Sequence, residues 1–305
     1  GQIAFAKDNT VEGLCPSGEG PEKAEWCLDD SRYISLPSFA KVPSDTIMYS
    51  PDFMDSGKLE DVTNALVDMS SSQDTSTLLS NILNTRGVMQ INSSDHLGIY
   101  TPLVSNIPGI SAYYTDDPSD GQEVTMTIDE LRIAFEYDES VNGTNSDPQF
   151  LADFLSSELG VNVRIHHVHS EMGKIASLES GEAHIGLMTP ESSWLGWKQH
   201  GLSVMAAVQN YEETTNNFPQ AWVRSDSSIA LAYLDDDPST DPISMMEGRA
   251  SCHTGWLDSI GMLLPMGHLI GNGYVDTDGS SGDIESLRGL IHGFFSNESS
   301  IPGQD

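Results

Sequence analysis

Between Leu131 and Gln209, apolar strand-like runs alternate with amphipathic runs, and this order constrains the fold more than any other feature. Strands are predicted at LRIAFEY, VNVRIHHVHS, HIGLMTP and LSVMAAVQ, and helices at PQFLADFLSSELG and EMGKIASLESGEA. SWLGWKQHG predicts a helical turn. Because parallel strands need crossover connections, this order predicts a parallel sheet covered by helices, and hence an α/β fold.

Ligands of open α/β sheets bind beyond the carboxyl ends of the strands. Tyr137 and Thr189 lie at the carboxyl ends of two of the predicted strands and are therefore candidate ligand-binding residues. A core aromatic residue is the alternative interpretation of Tyr137. Asp8, after the strand-like GQIAFAK, is a third candidate, although with Lys7 it could simply form a surface pair at a strand end.

The rest of the chain has further predicted elements. AWVRSDSSIA predicts a strand, and IESLRGLIHGFFS predicts a late helix. Nearer the amino terminus, VPSDTIMYSPDFM predicts a strand, GKLEDVTNALVDMSS and TSTLLSNILNT predict helices, and the stretch from Val88 to Tyr114 is expected to be poor in helix. The segment at about 115–126 has the Asp, Pro and Gly content of a linker.

The stretch GRASCHTGWLDSIGMLLPMGHLIGNG places small polar residues directly before an apolar, helix-like run. An open helix N-terminus offers unpaired N–H groups and partial positive charge to an anion. Ser251, His253, Thr254 and Gly255 are therefore candidate ligand-binding residues. The alternative is an ordinary helix cap at Ser251 or Thr254, with no ligand bound.

The charge balance excludes some partners. The chain carries 46 acidic against 13 basic residues, a formal charge of −33, without a long run of one charge. Nucleic acid and anionic membrane surfaces attract basic patches, so neither is expected as a partner. No stretch approaches the ~20 apolar residues of a membrane span. The acidic, lysine-poor composition suggests a marine or halophilic source.

Several residues suggest an exported protein. Cys15 and Cys27 flank a loop rich in Gly, Pro and Glu and are predicted to form a disulfide, with two free thiols as the alternative. Asn92, Asn142 and Asn297 begin glycosylation sequons. We therefore expect an extracellular, cell-surface or periplasmic location.

Catalytic and cofactor motifs are missing from the sequence. It has no Gly-rich phosphate loop, nucleophile elbow or HExxH motif, so we predict neither an enzyme nor a bound cofactor. The HHVH run from His166 to His169 resembles a metal-binding tract. Alternate residues of a strand point to opposite faces, so at most two or three of these side chains could converge, and no metal site is predicted.

Three segments resemble a known family. ASLESGEAHIGLMTP, AWVRSDSSI and GRASCHTGWLDSIGMLLPMG are similar to segments of two-lobed type II solute-binding proteins, the phosphonate-binding and transferrin-like superfamily. GQIAFAKDNTV resembles the strand that a transferrin lobe places after a helix of the LIHGFFSNESS type. The order of segments thus looks permuted, with 127–305 corresponding to the first part of the family and 1–126 to the second. A slice of a tandem array, or a loop removed between Asp305 and Gly1, would give the same order.

The resemblance implies two lobes that close on a ligand. One lobe would be 44–219 and the other 220–305 together with 1–43, with hinge strands near Lys41–Met48 and Pro219–Arg224. The ferric ligands of transferrin are not matched: the family positions fall near Thr189, Phe218, Lys23 and Asp45, and Asp258 replaces the anion-binding arginine.

We therefore expect a solute-binding protein that captures a small oxyanion, such as phosphate or a phosphonate, for an ABC importer. The expected partners are this ligand and an ABC permease. A second hypothesis is a binding-protein fold used as a structural repeat of a surface layer or fibre, with self-association or tandem repeats. A ferric-iron carrier is the third.

Overall fold

The computed structural model describes residues 2–7, 33–36, 41–110, 130–210, 213–235, 237, 239–256, 258–278 and 282–302. Their secondary structure mixes strands and helices. The strands are β1 (Gln2–Lys7), β2 (Tyr33–Ser35), β3 (Val42–Pro43), β4 (Thr46–Tyr49), β5 (Val88–Gln90), β6 (Glu130–Glu136), β7 (Asn162–Val168), β8 (Ile185–Met188), β9 (Ser203–Val208), β10 (Asn216–Asn217), β11 (Pro219–Arg224) and β12 (Ala250–Cys252). The helices are α1 (Ser56–Asp68), α2 (Gln73–Leu83), α3 (Ser93–Leu97), α4 (Thr101–Val104), α5 (Gln149–Leu159), α6 (Glu171–Glu179), α7 (Pro190–Gln199), α8 (Ser228–Leu234), α9 (Leu264–Gly271) and α10 (Ser286–Phe294). The α/β fold class is therefore confirmed.

The chain divides into two compact units, which we name by their sheets. The six-stranded unit comprises Pro43–Thr101 and Tyr114–Asn216, and the four-stranded unit comprises Gly1–Val42, Pro102–Tyr113 and Asn217–Asp305. The ligand-gripping lobes 44–219 and 220–305 with 1–43 stay a prediction. The expected linker at about 115–126 lies outside the described residues.

The six-stranded sheet has the order β5-β9-β4-β8-β6-β7. Strand β6 runs parallel to both β7 and β8, as the alternating pattern predicts. The expectation of an entirely parallel sheet is wrong, because β4 runs antiparallel between β8 and β9, and β5 runs antiparallel to β9. Strand β4 belongs to a distant part of the sequence, so it joins the sheet without a helical crossover.

The core of this unit forms where α1, α2 and α5 pack on the sheet. Its buried side chains are aliphatic residues and methionines that recur at helical or strand spacing, as expected for faces turned toward one core. Leu66, Leu79 and Leu155 are almost completely buried. Gly160 ends α5 in the left-handed conformation with φ 65°, which glycine adopts without steric cost.

The four-stranded sheet has the order β12-β1-β11-β2. Strand β1 pairs parallel with β12 and antiparallel with β11, which pairs antiparallel with β2. The strand predicted at AWVRSDSSIA is too long at its carboxyl end. It ends at Arg224, where the guanidinium binds the Asp226 carboxylate, and Ser227 then caps α8 by accepting a hydrogen bond from the Ala230 N–H.

Two further expectations are corrected by the structure. SWLGWKQHG belongs to the longer helix α7, which begins at Pro190, a favourable first helical residue because proline has no N–H to leave unpaired. The region from Val88 to Tyr114, expected to be poor in helix, contains β5 and the short helices α3 and α4. Asn92 starts α3 by accepting a hydrogen bond from the Asp95 N–H.

Candidate functional site

The carboxyl edge of the six-stranded sheet brings three loop starts together. Strands β8, β6 and β7 are neighbours in the sheet and run in the same direction. Thr189 follows β8, Tyr137 follows β6, and Ser170 and Glu171 follow β7 by two and three residues. Ligands of α/β sheets bind beyond such an edge. The six-stranded unit thus places Thr189 and Tyr137, two of the predicted ligand-binding residues, at the expected edge.

The carboxylate of Glu171 is held by three donors at this edge. Its Oε2 accepts a hydrogen bond of 3.2 Å from the Thr189 N–H and another from the Ser192 hydroxyl. Its Oε1 accepts from the Lys174 ammonium, which is almost fully buried. We call Thr189, Ser192 and Lys174 the oxyanion cradle. The cradle is a ready-made set of donors for an oxygen anion, and one of the chain's own carboxylates occupies it.

Two helix N-termini add to the positive potential of the cradle. Glu171 lies in the first turn of α6, whose N-cap Ser170 accepts a hydrogen bond of 3.0 Å from the Gly173 N–H. Thr189 and Ser192 lie at the start of α7. Each helix N-terminus carries about half a positive charge, so both helices favour an anion at this place.

Tyr137 is a partly exposed ring beside two histidines. It is 44 % exposed, and its ring meets the rings of His167 and His169 edge-on, with centroids 5.2 and 6.2 Å away. Tyr137 is therefore not a core residue, and it has free surface at the ligand edge. His167 in β7 and His169 just after it both contact Tyr137, whereas His166 lies on the other face of β7, 3.7 Å from Glu182.

The four-stranded unit contains the second predicted ligand-binding segment, Ser251 to Gly255. Two of its candidate residues are buried. Ser251 has no exposed surface, and His253 is 5 % exposed. The His253 Nδ1–H donates to the Gly261 carbonyl over 2.8 Å, so its Nε2 accepts from the Ser251 hydroxyl at 3.0 Å. Burial lowers the pKa of His253 below its ordinary value and favours the neutral ring. These contacts fix the shape of the segment.

The helix after this segment begins later than the sequence suggests. Residues Ala250–Cys252 form β12, and the helix starts at Ser259 with one π-helical stretch before α9. Its N-cap is Asp258, whose carboxylate accepts hydrogen bonds from the Gly261 N–H and the Thr254 hydroxyl. The expectation of an open N-terminus, and of a cap at Ser251 or Thr254, is therefore corrected: an acidic side chain closes this end.

Thr254 and Gly255 remain accessible in this segment. Thr254 is exposed, and Gly255 is half-buried with its carbonyl accepting from the Asp258 N–H over 3.3 Å. A Cβ on Gly261 would overlap the Thr254 side chain, so glycine at 261 is required for this loop to fold back on itself. The neighbouring acid Asp258 makes this end a weaker anion site than the oxyanion cradle.

The remaining predicted residues have different outcomes. Asp8, Cys15 and Cys27 lie outside the described residues, so the disulfide stays a prediction. Cys252 is a half-buried free cysteine, and burial raises the pKa of its thiol. The three sequon asparagines are all exposed, and glycosylation stays a prediction: Asn92, Asn142 and Asn297.

The described residues contain neither a metal-binding cluster nor a membrane-spanning helix. Within the described ranges, no group of three or more His, Cys, Asp or Glu residues is arranged to hold a metal ion. None of the helices in those same ranges combines the length and apolar character that crossing a bilayer requires.

Sequence comparison identifies the class of protein. Residues 133–288, more than half of the chain, match the family model described as "ABC transporter, phosphonate, periplasmic substrate-binding protein". The chain belongs to this family of periplasmic substrate-binding proteins, which are transport components rather than enzymes. No curated protein and no solved structure matches the chain.

Sequence reasoning found part of the cradle and missed the rest. Thr189 follows from the rule that strand ends carry ligand sites. Glu171 and Ser192 were missed, because the contact between α6 and α7 joins residues 18 positions or more apart. Lys174 was missed with them, since its local contact with Glu171 marks a site only when α7 joins it. The available signal was an acid and a lysine three residues apart in a first helical turn, followed later by Thr-Pro-x-Ser.

Proposed function

We propose that this substrate-binding protein captures a small oxyanion of the phosphonate or phosphate class and delivers it to an ABC permease. The observation that carries the proposal is the convergence of Thr189, Ser192 and Lys174 on one carboxylate at the carboxyl edge of the six-stranded sheet. A backbone N–H, a hydroxyl and an ammonium are the donors with which proteins hold phosphate-like groups.

Local donors are essential for anion capture by a chain of this charge. With a formal charge of −33, the protein as a whole repels anions. The cradle counters this repulsion with the buried Lys174 ammonium and with the N-termini of α6 and α7. A dianionic phosphonate gains more from these charges than a neutral solute, so the cradle favours an oxyanion over a sugar or an apolar ligand.

Glu171 acts in this proposal as a built-in competitor. Its carboxylate occupies the place that the ligand's oxygens would take, and it is only partly buried, so it can turn toward solvent when a ligand enters. The stronger negative charge of a phosphonate displaces the singly charged carboxylate. Exchange of one anion for another keeps Lys174 neutralised in both states, which avoids leaving a buried charge unpaired.

The other predicted residues have supporting roles in this proposal. Tyr137 covers the ligand from the end of β6, with its exposed ring face. Ser251 and His253 hold their segment in shape. Thr254 and Gly255 are retained as ligand-binding residues as the sequence predicts. Asp8 is retained as a ligand-binding residue on the sequence prediction alone.

Isothermal titration calorimetry with methylphosphonate, phosphate and sulfate tests the proposal. We expect saturable binding of methylphosphonate or phosphate by the wild-type protein. Ser192→Ala removes a cradle hydroxyl, and loss of a hydrogen bond to a charged group should weaken binding about 10- to 100-fold. Ser193→Ala is the matched control, because the neighbouring hydroxyl bonds Thr46 and the Met188 carbonyl instead and should leave affinity unchanged.

A third variant tests the competitor. Glu171→Gln removes the negative charge from the cradle while keeping a side chain of the same size, so anion affinity should rise, by about tenfold. Equal affinities of wild type, Ser192→Ala and Glu171→Gln would refute the cradle. Self-association combined with indifference to all three anions would favour the structural-repeat hypothesis, and a visible absorption band with ferric carbonate would favour the iron carrier.

A further inference from the structure

A cavity lies in the six-stranded unit, at the opposite end of the parallel strands from the cradle. It has a volume of about 410 Å³ and is bordered by α1, by the carboxyl end of α5, and by the residues that begin or precede β6, β7 and β8. Small-molecule sites typically measure about 300–1,000 Å³. The cavity is therefore large enough for a small organic compound, and the family match assigns no role to it.

His184 borders this cavity with a donor that the structure leaves unpaired. Its Nδ1 accepts a hydrogen bond of 2.8 Å from the Arg132 N–H, so the ring hydrogen is on Nε2. The ring is 3 % exposed, and its Nε2 has no hydrogen-bond partner among the described residues. A buried donor without a partner costs free energy, and an acceptor oxygen on a bound compound would supply what is missing.

The charges around the cavity select for a cation. Four carboxylates line it against a single ammonium, that of Lys58, and Asp61 and Glu158 are exposed at its rim. The Glu130 carboxylate forms ion pairs with Arg132 and Arg164. The other three carboxylates, those of Asp61, Asp68 and Glu158, give the lining a net negative charge. The walls between these groups are apolar and include Leu131, Leu159 and Val161.

We propose that this cavity is a binding site for a small primary amine that has an aliphatic body and a hydrogen-bond-accepting oxygen. The ammonium lies at the acidic rim near Asp61 and Glu158, the aliphatic body lies against the apolar wall, and the oxygen accepts from the His184 Nε2–H. The site is independent of the oxyanion cradle, because the two lie at opposite ends of the same strands.

L-leucinamide is the probe for this site, since it combines an ammonium, an isobutyl group and a carbonyl oxygen. We expect saturable binding by calorimetry, with a dissociation constant of about 1 mM or tighter. Isoamylamine lacks the carbonyl and 4-methylvaleramide lacks the amine, so each should bind about tenfold more weakly. Equal binding of all three compounds, or no binding of leucinamide, would overturn the proposal.

Three variants and a control test whether leucinamide binds in this cavity. Ala65→Phe fills the space from α1 and should abolish leucinamide binding. His184→Asn keeps an acceptor for the Arg132 N–H but removes the Nε2–H, so affinity should fall about tenfold. Asp61→Asn should also weaken binding, whereas its control, Asp153→Asn on the exposed face of α5, should not.

The outcome separates this site from the cradle. Each variant should keep the circular dichroism spectrum of the wild type, and Ser192→Ala should bind leucinamide normally. Leucinamide binding that survives both Ala65→Phe and Asp61→Asn would refute the site, whichever result the methylphosphonate titrations give.

Discussion

The buried ring of His184 predicts a specific loss of stability in acid. Burial, reinforced by the charges of Arg132 and Lys58, lowers the pKa of His184 from 6.5 to about 4. Between these two values the unfolded chain binds a proton at this residue and the folded chain does not, so stability falls as the pH decreases. From pH 7 to pH 5, the free energy of unfolding should fall by about 2 kcal/mol because of this ring alone.

The contribution of His184 to this loss of stability can be isolated by comparing the wild type with His184→Asn. The variant has no titrating group at 184 but keeps an acceptor for the Arg132 N–H. Urea unfolding followed by tryptophan fluorescence gives the free energy of unfolding of both proteins at pH 7 and pH 5. Other histidines whose pKa is lowered by burial, such as His166 and His268, contribute equally to both proteins and cancel in the comparison.

The wild type should therefore lose about 2 kcal/mol more than the variant between the two pH values. The C–H proton signals of the His184 ring provide a second readout, because they should not titrate above pH 5. A ring that titrates near pH 6.5, together with equal acid sensitivity of the two proteins, would show that His184 is solvated and would refute the reasoning.

Three further predictions concern packing and charge. Gly109→Ala should destabilise the protein by at least about 2 kcal/mol in urea unfolding, because Gly109 has φ 72° and an added Cβ would overlap the backbone of Ile284; an unchanged midpoint would contradict this. His253→Phe should cost about 2–4 kcal/mol, since the Ser251 hydroxyl and the Gly261 carbonyl lose their bonds to the ring; a loss of anion binding at full stability would instead make His253 a ligand contact. Raising NaCl from about 0.1 to 1 M should raise the Tm measured by differential scanning fluorimetry, because salt screens the self-repulsion of a chain with charge −33, whereas a falling Tm would contradict the salt-adapted interpretation.

Local patterns predicted the elements, and distant contacts decided how they combine. In the run from Leu131 to Gln209 the sequence predicts the strands and two of the helices correctly and makes the helix at Pro190–Gln199 too short, because hydrophobic period and capping act over a few residues. The antiparallel position of β4 between β8 and β9 could not be inferred from the sequence. Residues 46–49 pair with two strands beyond residue 184, and no local sequence pattern indicates such a distant pairing.

The candidate site shows the same division. Thr189 and Tyr137 are found by a rule about strand ends, whereas Glu171 becomes part of the cradle only when α6 and α7 meet. Asp258 caps its helix, and the sequence offered Thr254 just as readily, because both residue types suit an N-cap. The sequence predicts His184 only as the first residue of a strand, and its unpaired Nε2 is a property of the packed structure.

The most direct test of the central claim is a two-dimensional ¹H–¹⁵N spectrum recorded while methylphosphonate is added to the full chain. We expect the amide signals of Thr189 and Ser192 to move together and saturate, because the ligand replaces Glu171 at the start of α7. Signals at Thr189 and Ser192 that stay fixed while others shift, or that stay fixed throughout the titration, would contradict it.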